Sequence, residues 1–212
     1  MKSLFHKLII ATLLLLFGAT SYAKEGDKTH FYVIKLHKEI NTSSARLITD
    51  ALREAKNEDA SYCIIDLNTY GGALDAADSI RTAILRSPTP IIAFINNQAA
   101  SAGALISIAC DSIYMRTGSS IGAATVVDQS GAVMPDKYQS FMRGMMRSTA
   151  TANGRDPKIA ESMVSADSVL SLTPHEAIAA GYCEGICESA EEVAQLVSGG
   201  GGYTIKNMDD DM

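Results

Sequence analysis

Apolar residues recur along this chain with two periods in turn, roughly two residues and then roughly 3.6, so strands and helices are predicted in succession. From Phe31 to His37 apolar and polar positions alternate as in a half-buried strand. Asn41-Thr42-Ser43-Ser44 then offers residues suited to capping a helix N-terminus, and Leu47, Ile48, Ala51, Leu52 and Ala55 fall on one helical face. Tyr62 to Leu67 is a short apolar run of the interior-strand kind, closed by Asn68-Thr69-Tyr70-Gly71-Gly72. Ala73, Ala76, Ala77, Ile80, Ala83 and Ile84 follow at helical spacing up to Ser87-Pro88. Pro90 to Ile95 reads as a third strand, and Ser101 opens an Ala/Ile-rich helix that ends near Ala109. Three alternations predict parallel strands joined by right-handed crossovers, an α/β domain.

Beyond Ala109 the pattern thins. Ile113-Tyr114-Met115 predicts a short strand, and Gly118 to Ala124 a loop of small residues that let backbones approach closely. Tyr138, Phe141, Met142, Met145, Met146 and Thr149 form a helical stripe, whose methionines suit core or subunit-contact packing. Thr173-Pro174-His175-Glu176 has the order of an N-cap, a proline at the first helical position and a capping-box glutamate. Gly199 to Gly202 and Asp209-Asp210-Asp211 mark residues 199–212 as a flexible, solvated acidic tail. With no internal repeat and no long linker, residues 24–198 are expected to form one domain.

The first 23 residues stand apart. Lys2, His6 and Lys7 precede the apolar run Leu8 to Phe17, and Ser21-Tyr22-Ala23 supplies small residues for a cut after Ala23. The run is short against the roughly 18 residues of a spanning helix, which favours a cleaved signal peptide over an uncut anchor. Export across the inner membrane follows, to a periplasmic or membrane-associated location. Without residues 1–23 the chain keeps 16 basic and 24 acidic side chains, a charge of −8. An acidic, aromatic-poor chain without a basic cluster excludes nucleic acid as a partner. Four cysteines are too few for a disulfide scaffold: Cys63 and Cys110 lie in apolar runs, while Cys183 and Cys187 have the spacing either of a bridge or of two free thiols.

The chemistry concentrates where strands end. Asn97-Gln98-Ala99-Ala100-Ser101-Ala102-Gly103 sets one hydroxyl among side chains too small to cover it, at a strand-to-helix corner. A helix that opens there leaves its first N–H groups unpaired beside the hydroxyl, so a nucleophile and an oxyanion site can coincide. Such a serine needs a base. No histidine lies in the forty residues after Ser101; His30 and His37 flank the first strand, and His175 belongs to a helix start. Among lysines, Lys206 lies in the tail and Lys158 has the company of a surface loop, whereas Lys137 opens the apolar-striped helix. Burial there would favour its amine form; an exposed position beside Asp136 would make it an ordinary surface lysine, and spacing alone does not choose. Gly71-Gly72, just past another strand end, lets backbone N–H groups approach a substrate.

Taken in order, Asn68-Thr69-Tyr70-Gly71-Gly72, Ala99-Ala100-Ser101-Ala102-Gly103, Gly118-Ser119-Ser120-Ile121-Gly122-Ala123 and Leu172-Thr173-Pro174-His175-Glu176-Ala177 resemble the protease domain of NfeD-type membrane-bound serine proteases, in the Clp-protease and crotonase-like superfamily. The resemblance runs from about Phe31 to Glu188. It implies a single-domain, Clp/crotonase-like spiral of ββα units and an ATP-independent endopeptidase with a Ser-Lys dyad. Ser101 matches the family's nucleophile and Lys137 its general base; Gly72 and Ala102 match its oxyanion donors. Gly71, Ala73, Ile121 and Gly122 are the substrate contacts it implies. No metal and no cofactor is expected. Peptide or protein substrates, a stomatin-like membrane protein among them, and a homodimer or higher homo-oligomer are family-level expectations. Tyr70 stands where the family has proline. A crotonase-type acyl-CoA enzyme would share the fold, but export separates it from its cofactor; a catalytically inactive binding or scaffold module is the other alternative.

Overall fold

A computed structural model describes residues 28–165 and 168–208, so the proposed signal peptide at residues 1–23 lies outside the described residues. The chain alternates β1 (Thr29–Leu36), α1 (Thr42–Asn57), β2 (Tyr62–Thr69), α2 (Leu74–Leu85), β3 (Ile91–Ala100) and α3 (Ala102–Ala109), the three alternations its periodicity predicts. There follow β4 (Ser112–Met115), β5 (Ser120–Gly122), α4 (Asp136–Ala152) and α5 (Pro157–Ser162). The last elements are β6 (Ser171–Leu172), α6 (Pro174–Ala179), β7 (Gly185–Ile186), α7 (Ala190–Val197) and β8 (Tyr203–Asn207).

The caps explain where helices begin. Asn41 Oδ1 accepts from the N–H groups of Ser43 and Ser44, and Ser44 Oγ accepts from Asn41 N–H in return. At α6 the Glu176 carboxylate accepts from the Thr173 N–H and hydroxyl, each at 2.8 Å. α3 differs from the others in being buried all round, its one polar side chain, Ser107, donating to the Gly103 carbonyl. Every one of its residues from Ala102 to Ala109 is buried, as a helix inside rather than on the core must be.

The sheet runs β6-β5-β3-β2-β1-β8, parallel throughout except for β5 with β6, and β4 pairs with β3 and β7 off this path. β3 is the pivot. Its first half pairs with β4, Ile92 opposite Ser112 through Ile95 opposite Met115, while its end pairs Gln98, Ala99 and Ala100 with Ser120, Ile121 and Gly122 of β5. A strand that changes neighbours halfway makes the sheet step, which opens the C-terminal strand ends into a recess. Both faces are covered. Tyr32, Ile34, Ile65 and Ile95 belong to the large core, which also holds Ile48, Ile80, Ile106 and Met146 of the helices. Phe31, Val33, Ile64 and Phe94 face a smaller core closed by Val193 and Ala194 of α7.

Four expectations are corrected. The third strand does not stop at Ile95 but runs on to Ala100, and Ser120 to Gly122 within the Gly118–Ala124 loop are strand too, because Gln98 to Ala100 and Ser120 to Gly122 give each other ladder partners. Residues 199–212 do not form a flexible tail throughout: Tyr203–Asn207 is β8, parallel to β1, with Tyr203 edge-to-face on Phe31 and Lys206 Nζ on the carboxylates of Glu54 and Glu58 at 3.0 and 2.6 Å. The buried stripe of α4 begins at Gln139 rather than Tyr138. Phe141 is 59% exposed, whereas Met142, Met145 and Met146 are buried within the domain and present no outer surface for a subunit contact. All four cysteines are buried free thiols, and burial pushes Cys63 up to about 12 and Cys183 up to about 11.

Buried Arg155 closes the far end of α3. Its Nη1 donates to the carbonyls of Ile108 and Cys110 at 3.2 and 2.9 Å, and Nη2 to that of Asp111 at 3.3 Å. Arg155→Met would strand the carbonyls of Cys110 and Asp111, while that of Ile108 keeps Asn153 Nδ2 at 2.9 Å. A loss of about 2–4 kcal/mol in the free energy of unfolding is expected by denaturant titration.

Candidate active site

Ser101 caps α3 at the point where β3 ends. Its backbone sits at φ 54, ψ −116, a region that costs a non-glycine residue on the order of 1–3 kcal/mol. The surroundings hold it there. Ser101 N–H donates to the Gly122 carbonyl at 2.9 Å, and its own carbonyl accepts from Ala104 and Leu105 at 3.0 and 3.4 Å. Neighbouring Ala123 is also at positive φ, 49, so strain gathers on both sides of the corner. The conformation turns the Ser101 side chain toward the glycine turn at the end of β2.

That turn is built for contact. A Cβ on Gly71, whose φ is +116, would lie 2.7 Å from Ser101 Cβ and 3.1 Å from its Oγ, so the two corners touch. Gly71 N–H donates to Thr69 Oγ1 at 3.1 Å, Ile40 N–H donates to the Gly71 carbonyl, and Ala73 N–H donates to the Ile40 carbonyl. The Gly72 N–H has no intramolecular acceptor among the described residues. On the other side of Ser101, the N–H groups of Ala102 and Gly103 head α3 and have no intrahelical acceptor. Two donors thus flank one hydroxyl at the positive end of a helix dipole.

A cleft of about 810 Å³ opens over this corner. Gly72, Ala73, Ser101 and Ala102 form its floor, with Ala124, Val126 and Met142 among its apolar walls. Its charged lining is acidic, Glu39 and Asp128. Among the described residues, Ser101 Oγ has no hydrogen-bond partner within the chain. The floor is present, and the base is not beside it.

Lys137 lies at the start of α4, exposed, with Nζ 4.8 Å from the centroid of the Tyr138 ring. It is not among the residues lining the cleft, although Met142 of the same helix is. Five residues along a helix amount to about 7.5 Å of rise and about 140° of rotation, which turns the two side chains to different sides. The burial that an amine base needs is therefore missing in this conformation. No other candidate replaces it: His37 Nε2 bonds Asp66 Oδ1 at 2.8 Å, His30 Nδ1 bonds Thr204 Oγ1 at 2.7 Å, and neither Lys158 nor His175 lines the cleft.

The other expected contacts divide. Gly71, Ala73 and Gly122 surround Ser101, and Gly122, at φ +140 with the Leu170 carbonyl 2.3 Å from where its Cβ would be, admits no side chain. Ile121 is 1% exposed between Ala99 and Leu172, so its side chain serves the sheet and not the cleft. Three contributors escaped the sequence. Ile40 and Thr69 fix the glycine turn through bonds that no local pattern announces. The third is a hairpin, Val127 bridging Val133 across an Asp128-Gln129-Ser130-Gly131 turn; valines on both sides of Asp-x-x-Gly were its available signal.

A spiral parallel sheet with a strained serine at a buried helix start, pressed against a glycine turn, defines a domain of the Clp-like class. Within that class the chain belongs to the family of NfeD1b N-terminal domains, whose model matches residues 30–201. Membrane protein NfeD1b of Bacillus subtilis is 35% identical over 87% of this chain and 44% of its own length. Membrane-bound protease PH1510 of Pyrococcus horikoshii is 29% identical over 92% of this chain and 45% of its own. The chain thus spans a little under half the length of these curated relatives. Among solved structures, a lysine-to-alanine mutant of the 1510-N membrane-bound stomatin-specific protease, in complex with a substrate peptide, superposes with a TM-score of 0.79 at 26% identity, covering 88% of this chain and 94% of that one. ClpP1 from Listeria monocytogenes shares the fold at a TM-score of 0.62 and 19% identity, over 75% of this chain and 92% of that one.

Proposed function

We propose that this domain is a serine endopeptidase with Ser101 as nucleophile, Lys137 as general base and the N–H groups of Gly72 and Ala102 as oxyanion donors. The single observation that carries it is the contact of strained Ser101 with the Gly71-Gly72 turn under an open cleft. Lys137 in its amine form accepts the hydroxyl proton as Oγ bonds the peptide carbonyl carbon, and the two N–H groups stabilise the oxyanion. The lysine then passes that proton to the leaving amine as the peptide bond breaks, and water repeats the cycle on the acyl-enzyme. For Lys137 to do this, the first turn of α4 has to rotate toward the cleft, and a peptide filling the cleft is what would draw it in. Apolar walls suit apolar peptide segments. The 1510-N relative, a stomatin-specific protease solved with a substrate peptide, supports a stomatin-like membrane protein as substrate. Association as a homo-oligomer through α4 would use Tyr138 and Phe141, which are exposed.

The exposed lysine favours one rival, an inactive binding module on the same fold. A fluorophosphonate probe separates them by intact-protein and peptide mass spectrometry. A single adduct on Ser101, absent in Ser101→Ala and formed about 100-fold more slowly in Lys137→Ala, is the expected result. A folded wild-type protein that takes no label and cleaves no peptide belongs to the rival.

A further inference from the structure

The cleft wall opposite the oxyanion turn is a thin one. Val126 to Gln129, the first arm of the hairpin, line the Ser101 cleft, while Val133 and Met134 of the return arm line a second cavity of about 500 Å³ on the other side. Val127 and Val133 are 49% and 57% exposed, so their side chains give the hairpin little core to rest on. Val126 packs against the main core, but with open space on both sides of the rest, packing fixes the hairpin only at its base and hydrogen bonds have to hold it there.

One side chain supplies most of them. Gln139, only 3% exposed, accepts from Val126 N–H through Oε1 at 3.0 Å and donates through Nε2 to the Val126 carbonyl at 2.7 Å and the Met134 carbonyl at 3.1 Å. An amide facing one residue's N–H and C=O together imitates a neighbouring strand. The bond from Met134 N–H to the Val126 carbonyl, 3.0 Å, closes the same base. Gln139 also stands two residues after Lys137 on α4, so one buried group ties the wall to the helix turn that carries the proposed base. A polar side chain so deeply buried needs such partners, and every one of them belongs to this hairpin.

We propose that Gln139 is a positioning residue that holds the Val126–Met134 wall, and so sets the width of the cleft in which a peptide lies. This rests on the peptidase reading, yet its physical content can be measured apart from it. The test compares the wild-type protein with Gln139→Leu, which keeps the volume but neither donates nor accepts. A fluorogenic apolar peptide is the substrate, fluorophosphonate labelling reports on Ser101, and amide hydrogen exchange reports on residues 126–134. The expected result is a KM raised about tenfold with kcat changed less than about threefold, because a loosened wall weakens peptide binding more than it alters the chemistry at Ser101. Labelling of Ser101 stays within about threefold of the wild-type rate, as kcat does, since the probe is small and the floor is untouched. Exchange quickens at Val126, Asp128 and Met134 while β2 and β3 stay protected.

A uniform rise in exchange across the sheet, or a kcat that falls as far as KM rises, would assign Gln139 to general stability and overturn the proposal. So would unchanged KM together with unchanged protection at the hairpin. If the wild-type protein neither cleaves the peptide nor takes the label, it is the peptidase reading that fails, and exchange decides the clamp alone: local loss of protection upholds it, wild-type protection ends it.

Discussion

Replacing Ser101 by glycine is expected to abolish peptide cleavage and, in the same protein, to raise its stability. Removal of a nucleophile costs at least about 1,000-fold in rate, and a residual rate near wild type would exclude Ser101 from the chemistry. The stability arises from the backbone. At φ 54, ψ −116 a serine is strained and a glycine is not, so Ser101→Gly should gain about 1 kcal/mol, less the extra freedom of its unfolded chain. Ser101→Ala keeps the strain and should melt with the wild type while losing the same activity. Denaturant titration of the three proteins beside a peptide-cleavage assay checks both halves. A glycine variant clearly less stable than the alanine variant would show that the strain does not exist.

The second large effect is at Gly72. An alanine there would put Cβ 2.0 Å from the Ile40 carbonyl oxygen at φ +152, and the bridge between Ile40 and the turn has no room to give. Gly72→Ala should lose about 3 kcal/mol or more and move the N–H proposed as an oxyanion donor. Gly144 provides the control, because a Cβ at that position in α4 meets nothing within 4 Å. Gly144→Ala should stabilise by about 0.5–1 kcal/mol through helix propensity alone. Calorimetry on both variants reads the contrast. A Gly72→Ala protein that folds and cleaves like the wild type would remove the turn from the site.

The local parts of this architecture were readable in the sequence, and the parts set by distant pairing were not. Periodicity located β1 to β3 and α1 to α3 because each buries a face of its own making, and Ser101 stood out as a polar residue at an apolar corner. By contrast β8 depends on β1 some 170 residues earlier, and Tyr203-Thr204-Ile205 was outweighed by the glycines and aspartates around it. β5 is three residues long and exists only because β3 continues past Ile95 to meet it. In α4 a shift of one residue in the buried face decided everything: Gln139 lies inside, while Lys137, Tyr138 and Phe141 lie outside. The hydrophobic stripe spoke for Tyr138 and Phe141, and no pattern reveals that a glutamine will be the residue taken into the interior.

The pairing of β8 with β1 also governs how the domain can be leashed. Because the two strands are parallel, Thr29 and Tyr203 share one end of the sheet, and Leu36 and Asn207 point toward the other, where Ser101 sits. A leash fastened ahead of Thr29 holds the domain by the end away from Ser101, with the mouth of the cleft carried about 26 Å away over the eight residues of β1. One fastened beyond Asn207 pulls from the mouth's own side. The same domain would therefore look outward on the first leash and toward its anchor on the second.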